Sequence, residues 1–485
     1  MTKEIDADPD DWEELRQSLH KSVDDMVNWL KSIRERKPWQ PIPEPVKNHF
    51  TYEWGDNGRN LNDIYDEFIE FVLPYPSGNI HPRYWGWVNG TGIAHDLIVE
   101  LLIATMNSNV GGREHIANYV ERQVLNWYKS LFGFPENSSG VLTTGCSVAN
   151  LIGLTVARTA KLGEKIRELG QAKMIQPIYY GSNQVHSSIY KALEIIGVGR
   201  NHFRAIKTNK DYSIDTAALE EQLQIDLQQG LTPICLIGNV GTVNTGAVDD
   251  IAELGRIAKK YGLWLHLDAA FGAALKLTRL NHLVKHLDLA DSIAFDLHKW
   301  FYIQYEIGCI LVKDEKFHRK ALSLRPDYLA EQKRGAGSGG RWFTEYGLQL
   351  SRNFKALKPW FLLQLIGKRK YSELLNKNLD QAQYLTSLIE QSDHLQLMSP
   401  TITNVVCFRF YKQGLTENSL EDLNQEILHL LHEEGVAVPS STRLKGIFTL
   451  RVAIVNHRSR KDDFNLLVDE VERIGLNLLE KGLFR

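Results

Sequence analysis

Cysteine is scarce in this 485-residue chain: Cys146, Cys235, Cys309 and Cys407 are the only four, and they lie far apart. That excludes a disulfide framework or a thiolate zinc site and fits a reducing cytoplasm. The sixteen histidines are scattered, with no His-Glu-x-x-His or comparable motif, so no metal is expected. Long apolar runs are missing as well. None approaches the ~18 residues a membrane span needs, and the acidic stretch from Met1 to Asp11 has no apolar core of the signal-peptide kind. A net charge of −3 gives no electrostatic reason to expect nucleic acid or an anionic membrane as partner. The basic runs Lys368 to Lys370 and Arg458 to Lys461 read as solvated helix faces. What is present, 43% hydrophobic and 24% charged residues, is the make-up of a soluble globular protein, and the length predicts two or three domains.

Residues 11–36 have the period of an amphipathic helix, with Trp12, Leu15, Leu19, Val23, Met26, Trp29, Leu30 and Ile33 on one stripe. A Pro-rich connector, Lys37 to Pro45, follows, and a second helix near 61–73 ends at Leu73-Pro-Tyr-Pro. This segment cannot bury its stripe alone, so it is expected to lie against a larger domain or a second subunit. Beyond it, strand-like runs at 174–180, 203–207, 233–238, 263–267, 292–296 and 308–312 alternate with helical patterns at 147–168, 187–197, 215–228 and 248–261. Such alternation predicts βαβ units and a mostly parallel sheet covered on both faces. A long helical pattern starts at Arg352, after which helices alternate with short strands near 404–410 and 446–453. The expected organisation is therefore an N-terminal helical dimerisation segment (1–92), a large α/β domain (93–365) and a smaller C-terminal α+β domain (366–485).

Two of the strand-like runs end on reactive groups. The run from Leu263 ends at Asp268, and the run 292–296 is followed by His298 and Lys299. In α/β sheets ligands sit beyond the carboxyl ends of the strands, so neighbouring strands would aim these groups into one crevice. A lysine able to form a Schiff base and an acid able to hold a pyridinium nitrogen are what pyridoxal phosphate requires of its protein. The aromatic neighbours Trp300, Phe301 and Tyr302 are expected to desolvate the Lys299 amine, lower its pKa and leave it nucleophilic. Thr143 to Asn150 opens a long helix after the apolar Gly140-Val-Leu142; it is either a phosphate site, using the amides of Cys146, Ser147 and Val148, or an ordinary Ser-capped helix. His186 follows the strand ending at Tyr180, where an imidazole can lie over a pyridine ring. The Gly-rich Asn239 to Gly246 either reaches the cofactor oxygen through Thr242 or Asn244 or is only a turn.

The ordered set Thr-Gly-Cys-Ser, Gln-Val-His-Ser-Ser, Gly-Thr-Val-Asn-Thr-Gly, His-Leu-Asp-Ala-Ala-Phe and His-Lys-Trp resembles the pyridoxal phosphate-dependent group II amino acid decarboxylases, from His81-Pro82 to Trp360 and more weakly to the C-terminus. The resemblance implies the fold type I (aspartate aminotransferase-like) architecture and decarboxylation of an L-amino acid to its amine and CO2. The alternatives are a C–C lyase, an aminotransferase or an oxidative aldehyde-forming decarboxylase on the same fold. It assigns Lys299 as the Schiff-base lysine, Asp268 as the ring-nitrogen partner, His186 over the ring and Ala270 beneath it. It puts Cys146, Ser147, Ser292 and Asp296 near the phosphate and His298 at the rim. Asp296 stands where some members carry Asn, and a carboxylate beside a phosphate needs a donor between them. Val243 stands where a threonine often contacts the cofactor, leaving Thr242 or Asn244 to do so. Tyr328, in Arg325-Pro-Asp-Tyr-Leu329, matches the tyrosine that reprotonates the α-carbon, and the Gly-rich 332–340 reads as a lid. Trp87, Asn107 and Asn109 match the substrate pocket, with two amides where aromatic-specific members are apolar. The resemblance further implies a homodimer with its active site at the interface.

Overall fold

A computed structural model describes residues 6–171, 175–324, 332–482 and 484. The larger of its two sheets has seven strands: β1 (Ser139–Thr143), β2 (Pro177–Ser182), β3 (Phe203–Ile206), β4 (Thr232–Asn239), β5 (Trp264–Asp268), β6 (Ser292–Asp296) and β7 (Gly308–Val312). Their order is β1-β7-β6-β5-β4-β2-β3. The pairs from β6 through β3 are parallel, while β7 runs antiparallel to both β1 and β6. Six carboxyl ends therefore lie on one side, among them Thr143, Ser182, Asn239, Asp268 and Asp296. Runs such as Ile234–Ile237 and Ile310–Val312 are apolar at successive positions and fully buried, as they must be in a sheet covered on both faces.

The helices that follow these strands start next to the crevice. Asp250 caps Ile251–Tyr261 by accepting the Glu253 amide at 3.1 Å, and Gly262 (φ +64°) ends it in the left-handed conformation. Helix Cys146–Leu162 has Gly145 at its N-cap with no side-chain cap, so the Ser-capped alternative does not hold. Its face packs so closely on the sheet that a Cβ on Gly153 would stand 2.5 Å from the His266 ring.

The second sheet is antiparallel, β10 (Ser440–Leu444), β11 (Ile447–Ala453), β9 (Val405–Phe410) and β8 (Leu395–Leu397) in that order. Helices Glu417–Glu433 and Lys461–Glu480 pack on it around a separate core of Phe408, Phe410, Leu450, Phe464 and Leu467. Helix Leu357–Gln391, interrupted at Gly367, spans both cores, with Leu375 and Leu379 in the first and Leu385 and Ile389 in the second. Trp85 also belongs to the second core. It stacks on Phe464 and donates its indole N–H to Ser459 at 3.0 Å, while Tyr84 bridges Val438. The segment leading to the crevice is thus threaded through the small sheet. The N-terminal helix Trp12–Lys31 is well capped by Asp11 yet buries none of its residues.

Candidate active site

β5 and β6 are hydrogen-bonded neighbours, with Asp268 opposite Ala294, so their carboxyl ends open onto one crevice. At its floor Asp268, 5% exposed, is held from three directions. Its Oδ2 accepts the Asn150 amide at 2.9 Å; its Oδ1 accepts the Ala270 backbone N–H at 3.1 Å and faces the Cys146 thiol at 3.4 Å. Burial, then the charges of Asp268 and Asp296, push that thiol well above the ordinary cysteine range, so Cys146 is protonated and donates.

A chain of hydrogen bonds fixes the polarity behind Asp268. The Trp264 indole, which can only donate, gives its N–H to the Ser292 hydroxyl at 2.8 Å. That hydroxyl then donates to His266 Nδ1 at 2.8 Å, and His266 Nε2–H donates to Asn150 Oδ1 at 3.0 Å. Asn150 Nδ2 must therefore point its protons onward, to Asp268 and to the Ser188 hydroxyl at 3.1 Å. Burial holds His266 at about 4, so the ring is neutral and this one-way order is stable at physiological pH. The sequence motifs contain Asn150 and His266 but give neither a role. The signals existed: His266 shares a strand face with Asp268 two residues on, and Asn150 lies one helical turn beyond Cys146.

Lys299 follows β6. Its Nζ lies 2.9 Å from Asp296 Oδ2, and Asp296 Oδ1 accepts the Cys146 backbone N–H at 2.6 Å. The donors a carboxylate needs in this place are thus an ammonium and a helix N-terminus. The expected depression of the Lys299 pKa is corrected. Burial does work to lower it, but Asp296, with Cys146 and Asp268 behind it, outweighs burial and raises it above the ordinary lysine range. Replacing Asp296 with Asn should therefore lower the pH at which Lys299 loses its proton. The pH midpoint for capture of pyridoxal phosphate by the apoprotein, followed by absorbance, should move down; an unchanged midpoint would dissociate Asp296 from Lys299.

His298 is 7% exposed. Its Nδ1 accepts the Ile307 N–H at 3.1 Å, its Nε2 lies 3.6 Å from Asp296, and its ring lies against Tyr305, tilted by 31° with centroids 4.4 Å apart. Tyr305 is a further crevice residue that sequence reasoning missed. His186 caps helix Ser187–Ile195: its Nδ1 accepts the Ser188 N–H at 3.2 Å, so the neutral ring carries its proton on Nε2. Burial lowers its pKa, and Ser188 ties it to Asn150. Ser147 is exposed in the first turn of helix Cys146–Leu162, and Ala270 borders Asp268.

Three expectations change. Ser292 is not at the phosphate end: it opens β6 four residues before Asp296, about 13 Å away at strand rise, and its hydroxyl serves Trp264 and His266. The Thr242 hydroxyl closes its own turn, bonding the Thr245 hydroxyl and the Ala247 N–H at 3.0 Å each, and is not turned to a cofactor. Asn244 spans from Gln184 (3.0 Å) to Thr442 of the small sheet (2.7 Å). Tyr328 lies outside the described residues.

The segment carrying Trp87 approaches the lysine turn so closely that a Cβ on Gly90 would stand 1.7 Å from the His298 carbonyl oxygen. Trp87 itself is exposed, in the left-handed region (φ +52°), with its carbonyl held by Arg451. Asn107 (φ +41°) ends helix Asp96–Met106, and Asn109 accepts the Arg352 N–H at 3.0 Å; both side chains are exposed.

The residues present fit pyridoxal phosphate. A carboxylate is fixed at the end of β5 where it could pair with a protonated ring nitrogen, a primary amine follows the next strand, and a long helix begins beside it. A sheet of this order with these groups at its carboxyl ends defines an aspartate aminotransferase-like pyridoxal phosphate enzyme. The chain belongs to the pyridoxal-dependent decarboxylase family, whose conserved-domain model matches residues 43–411. It is 26% identical over 469 residues to an aromatic-L-amino-acid decarboxylase of Bacillus atrophaeus, covering 95% of each chain. It is 28% identical over 484 residues to tryptophan decarboxylase 2 of Oryza sativa subsp. japonica, covering 96% of each. A solved structure of Oryza sativa TDC with PLP and tryptamine superposes with a TM-score of 0.89 at 22% identity, over 98% of this chain and 100% of that one. The protein is a pyridoxal phosphate-dependent carboxy-lyase that decarboxylates an L-amino acid. No helix among the described residues is long and apolar enough to cross a membrane.

Proposed function

We propose that the protein converts an aromatic L-amino acid bearing a polar ring group into its amine and CO2, with Lys299 carrying the cofactor and Asp268 paired to the ring nitrogen. The observation that carries this reading is the one-way hydrogen-bond chain ending on Asp268, one strand from Lys299. Pyridoxal phosphate, when bound, supplies a sink for the electron pair left as CO2 departs. Asp268 keeps a negative charge at the ring-nitrogen position, fixed before the reaction begins. Bound pyridoxal phosphate would be held with His186 and Ala270 on its ring, Cys146, Ser147 and Asp296 on its phosphate and His298 at the rim. Tyr328 holds the proton that is returned to the α-carbon.

The relatives named above support the aromatic class, and Asn107 and Asn109 bring amides able to hold a polar substituent. Helix Asp96–Met106 ends at Asn107 and exposes Leu97, Ile98, Leu101, Leu102 and Met106 on its surface. An apolar patch of this kind on a soluble chain marks an interface. In our reading it joins two copies, bringing Asn107 and Asn109 to the partner's crevice and covering the N-terminal helix. The same reading divides the chain into a dimerisation segment (1–92), a cofactor domain (93–365) and a small domain (366–485). Four buried free thiols support a reducing compartment, the cytoplasm.

The test is a product screen. Holoenzyme is incubated with a panel of amino acids while CO2 and new amines are followed by mass spectrometry. Equimolar amine and CO2 from an aromatic substrate is the expected result; turnover confined to acidic or aliphatic amino acids would remove the aromatic assignment. Light scattering should give twice the chain mass, and Leu101→Glu should shift it toward the monomer and depress activity with it. A wild-type monomer would contradict the shared site.

A further inference from the structure

Asn109 is exposed, yet its amide is not free to turn. Its Oδ1 accepts the Arg352 backbone N–H at 3.0 Å. A backbone N–H can only donate, so the oxygen is fixed on that side and Nδ2 on the other. The main chain around it is pinned as well. The Asn109 carbonyl meets His115 Nε2 at 3.1 Å. Val110 gives its N–H to the Arg352 carbonyl at 2.7 Å and accepts from the Arg352 guanidinium at 2.8 Å.

Arg352 is itself held on all sides. Its side chain is 1% exposed, pairs with the buried Glu121 at 2.6 Å and donates to the Leu142 carbonyl at 2.7 Å. Glu121 in turn accepts the Leu142 N–H at 3.1 Å. Leu142 stands one residue before the carboxyl end of β1, an edge strand, and the turn through Gly145 to Cys146 follows. The Asn109 loop is therefore mounted at the crevice side of the sheet edge, and Nδ2 has no acceptor among the described residues. Asn107 differs. Its side chain makes no hydrogen bond among the described residues, so its amide can turn to suit either kind of partner.

An N–H group pressed against a second copy and cut off from water needs an acceptor there. A ring hydroxyl supplies one. An unsubstituted phenyl ring has none, and an indole N–H is a second donor facing the first. We propose that Asn109 of each copy reads the substrate in the other copy's crevice, donating from Nδ2 to a ring oxygen. The protein then selects phenolic over indolic and unsubstituted aromatic amino acids, and Arg352 is the positioning residue that sets this polarity. The proposal rests on the aromatic, shared-site reading above and names what that site distinguishes.

The test compares amine formation by holoenzyme from L-tyrosine, L-phenylalanine, L-tryptophan and 4-amino-L-phenylalanine. The last has the size of tyrosine, but its ring nitrogen substituent donates and accepts poorly. Tyrosine should exceed each of the others in kcat/KM by about tenfold or more. Asn109→Leu keeps the volume and removes the donor, and should bring the tyrosine-to-phenylalanine ratio to about one. Asn109→Asp keeps an oxygen for the Arg352 N–H and replaces Nδ2 with an acceptor, so the gap between tyrosine and 4-aminophenylalanine should close. A mixed dimer of one Lys299→Ala chain and one Asn109→Leu chain, isolated through two affinity tags, tests the shared site. Its only competent lysine faces the other copy's Asn109, so the wild-type ratio should return. The ratio of the Asn109→Leu homodimer there would place Asn109 in its own crevice and overturn the proposal. A tyrosine preference that survives Asn109→Leu would overturn it too, as would a wild type that takes phenylalanine or tryptophan as well as tyrosine. In those cases the aromatic reading stands; turnover of no aromatic amino acid would remove that reading and the proposal with it.

Discussion

Lys299→Ala should abolish the visible absorbance of the bound cofactor and lower the decarboxylation rate by about 10³-fold or more, since the variant has no amine with which to hold and release the cofactor covalently. Stability should fall as well. Asp296 is buried and loses its ammonium partner, and removing one member of a buried ion pair costs about 3–5 kcal/mol. The two effects separate in Lys299→Ala/Asp296→Asn. The neutral amide still accepts the Cys146 N–H, so thermal stability should recover toward the wild type while activity stays lost. A Lys299→Ala protein that keeps the absorbance would move the Schiff base to another lysine. Recovery of activity in the double variant would mean that Lys299 acts only through Asp296.

Much of this site can be read along the chain because the reactive groups sit at strand ends. Apolar runs at 263–267 and 292–296 predict β5 and β6 within a residue, and with them the positions of Asp268 and Lys299. The same strand logic also contains the correction to Ser292. A residue that opens a five-residue strand cannot serve the crevice at its far end, whatever motif surrounds it. The charge state of Lys299 was misread because Trp300, Phe301 and Tyr302 are indeed buried but turn into the core. Trp300 and Tyr302 bond Asn378, leaving Asp296 as the group the ammonium meets. β10 went unseen for a different reason: Ser-Ser-Thr-Arg has no apolar alternation, and it becomes a strand through its pairing with β11. The run Arg458 to Lys461 reads as a solvated helix face, yet Ser459 within it is fully buried, and burial is a property of the fold and not of the segment.

Asp268→Asn should lower the decarboxylation rate roughly 10²–10³-fold, the usual cost of removing a preorganised charge partner, while leaving Lys299 able to bind the cofactor. The loss is larger than one charge suggests because the surrounding polarity is fixed. Trp264 can only donate, and each link passes that direction on through Ser292, His266 and Asn150, so the group at position 268 must accept. An asparagine there can turn its oxygen toward Asn150, but its amide then faces the Ala270 N–H and the Cys146 thiol, both donors. Asn150→Ala should cost less, about tenfold, because Asp268 keeps its charge and its other two donors. Combined with Asp268→Asn it should cost almost nothing further, since Asn150 acts through the carboxylate, and residues sharing one hydrogen-bond chain are not additive. Equal effects of Asn150→Ala in the wild type and in Asp268→Asn would show instead that Asn150 works through Ser188 and His186.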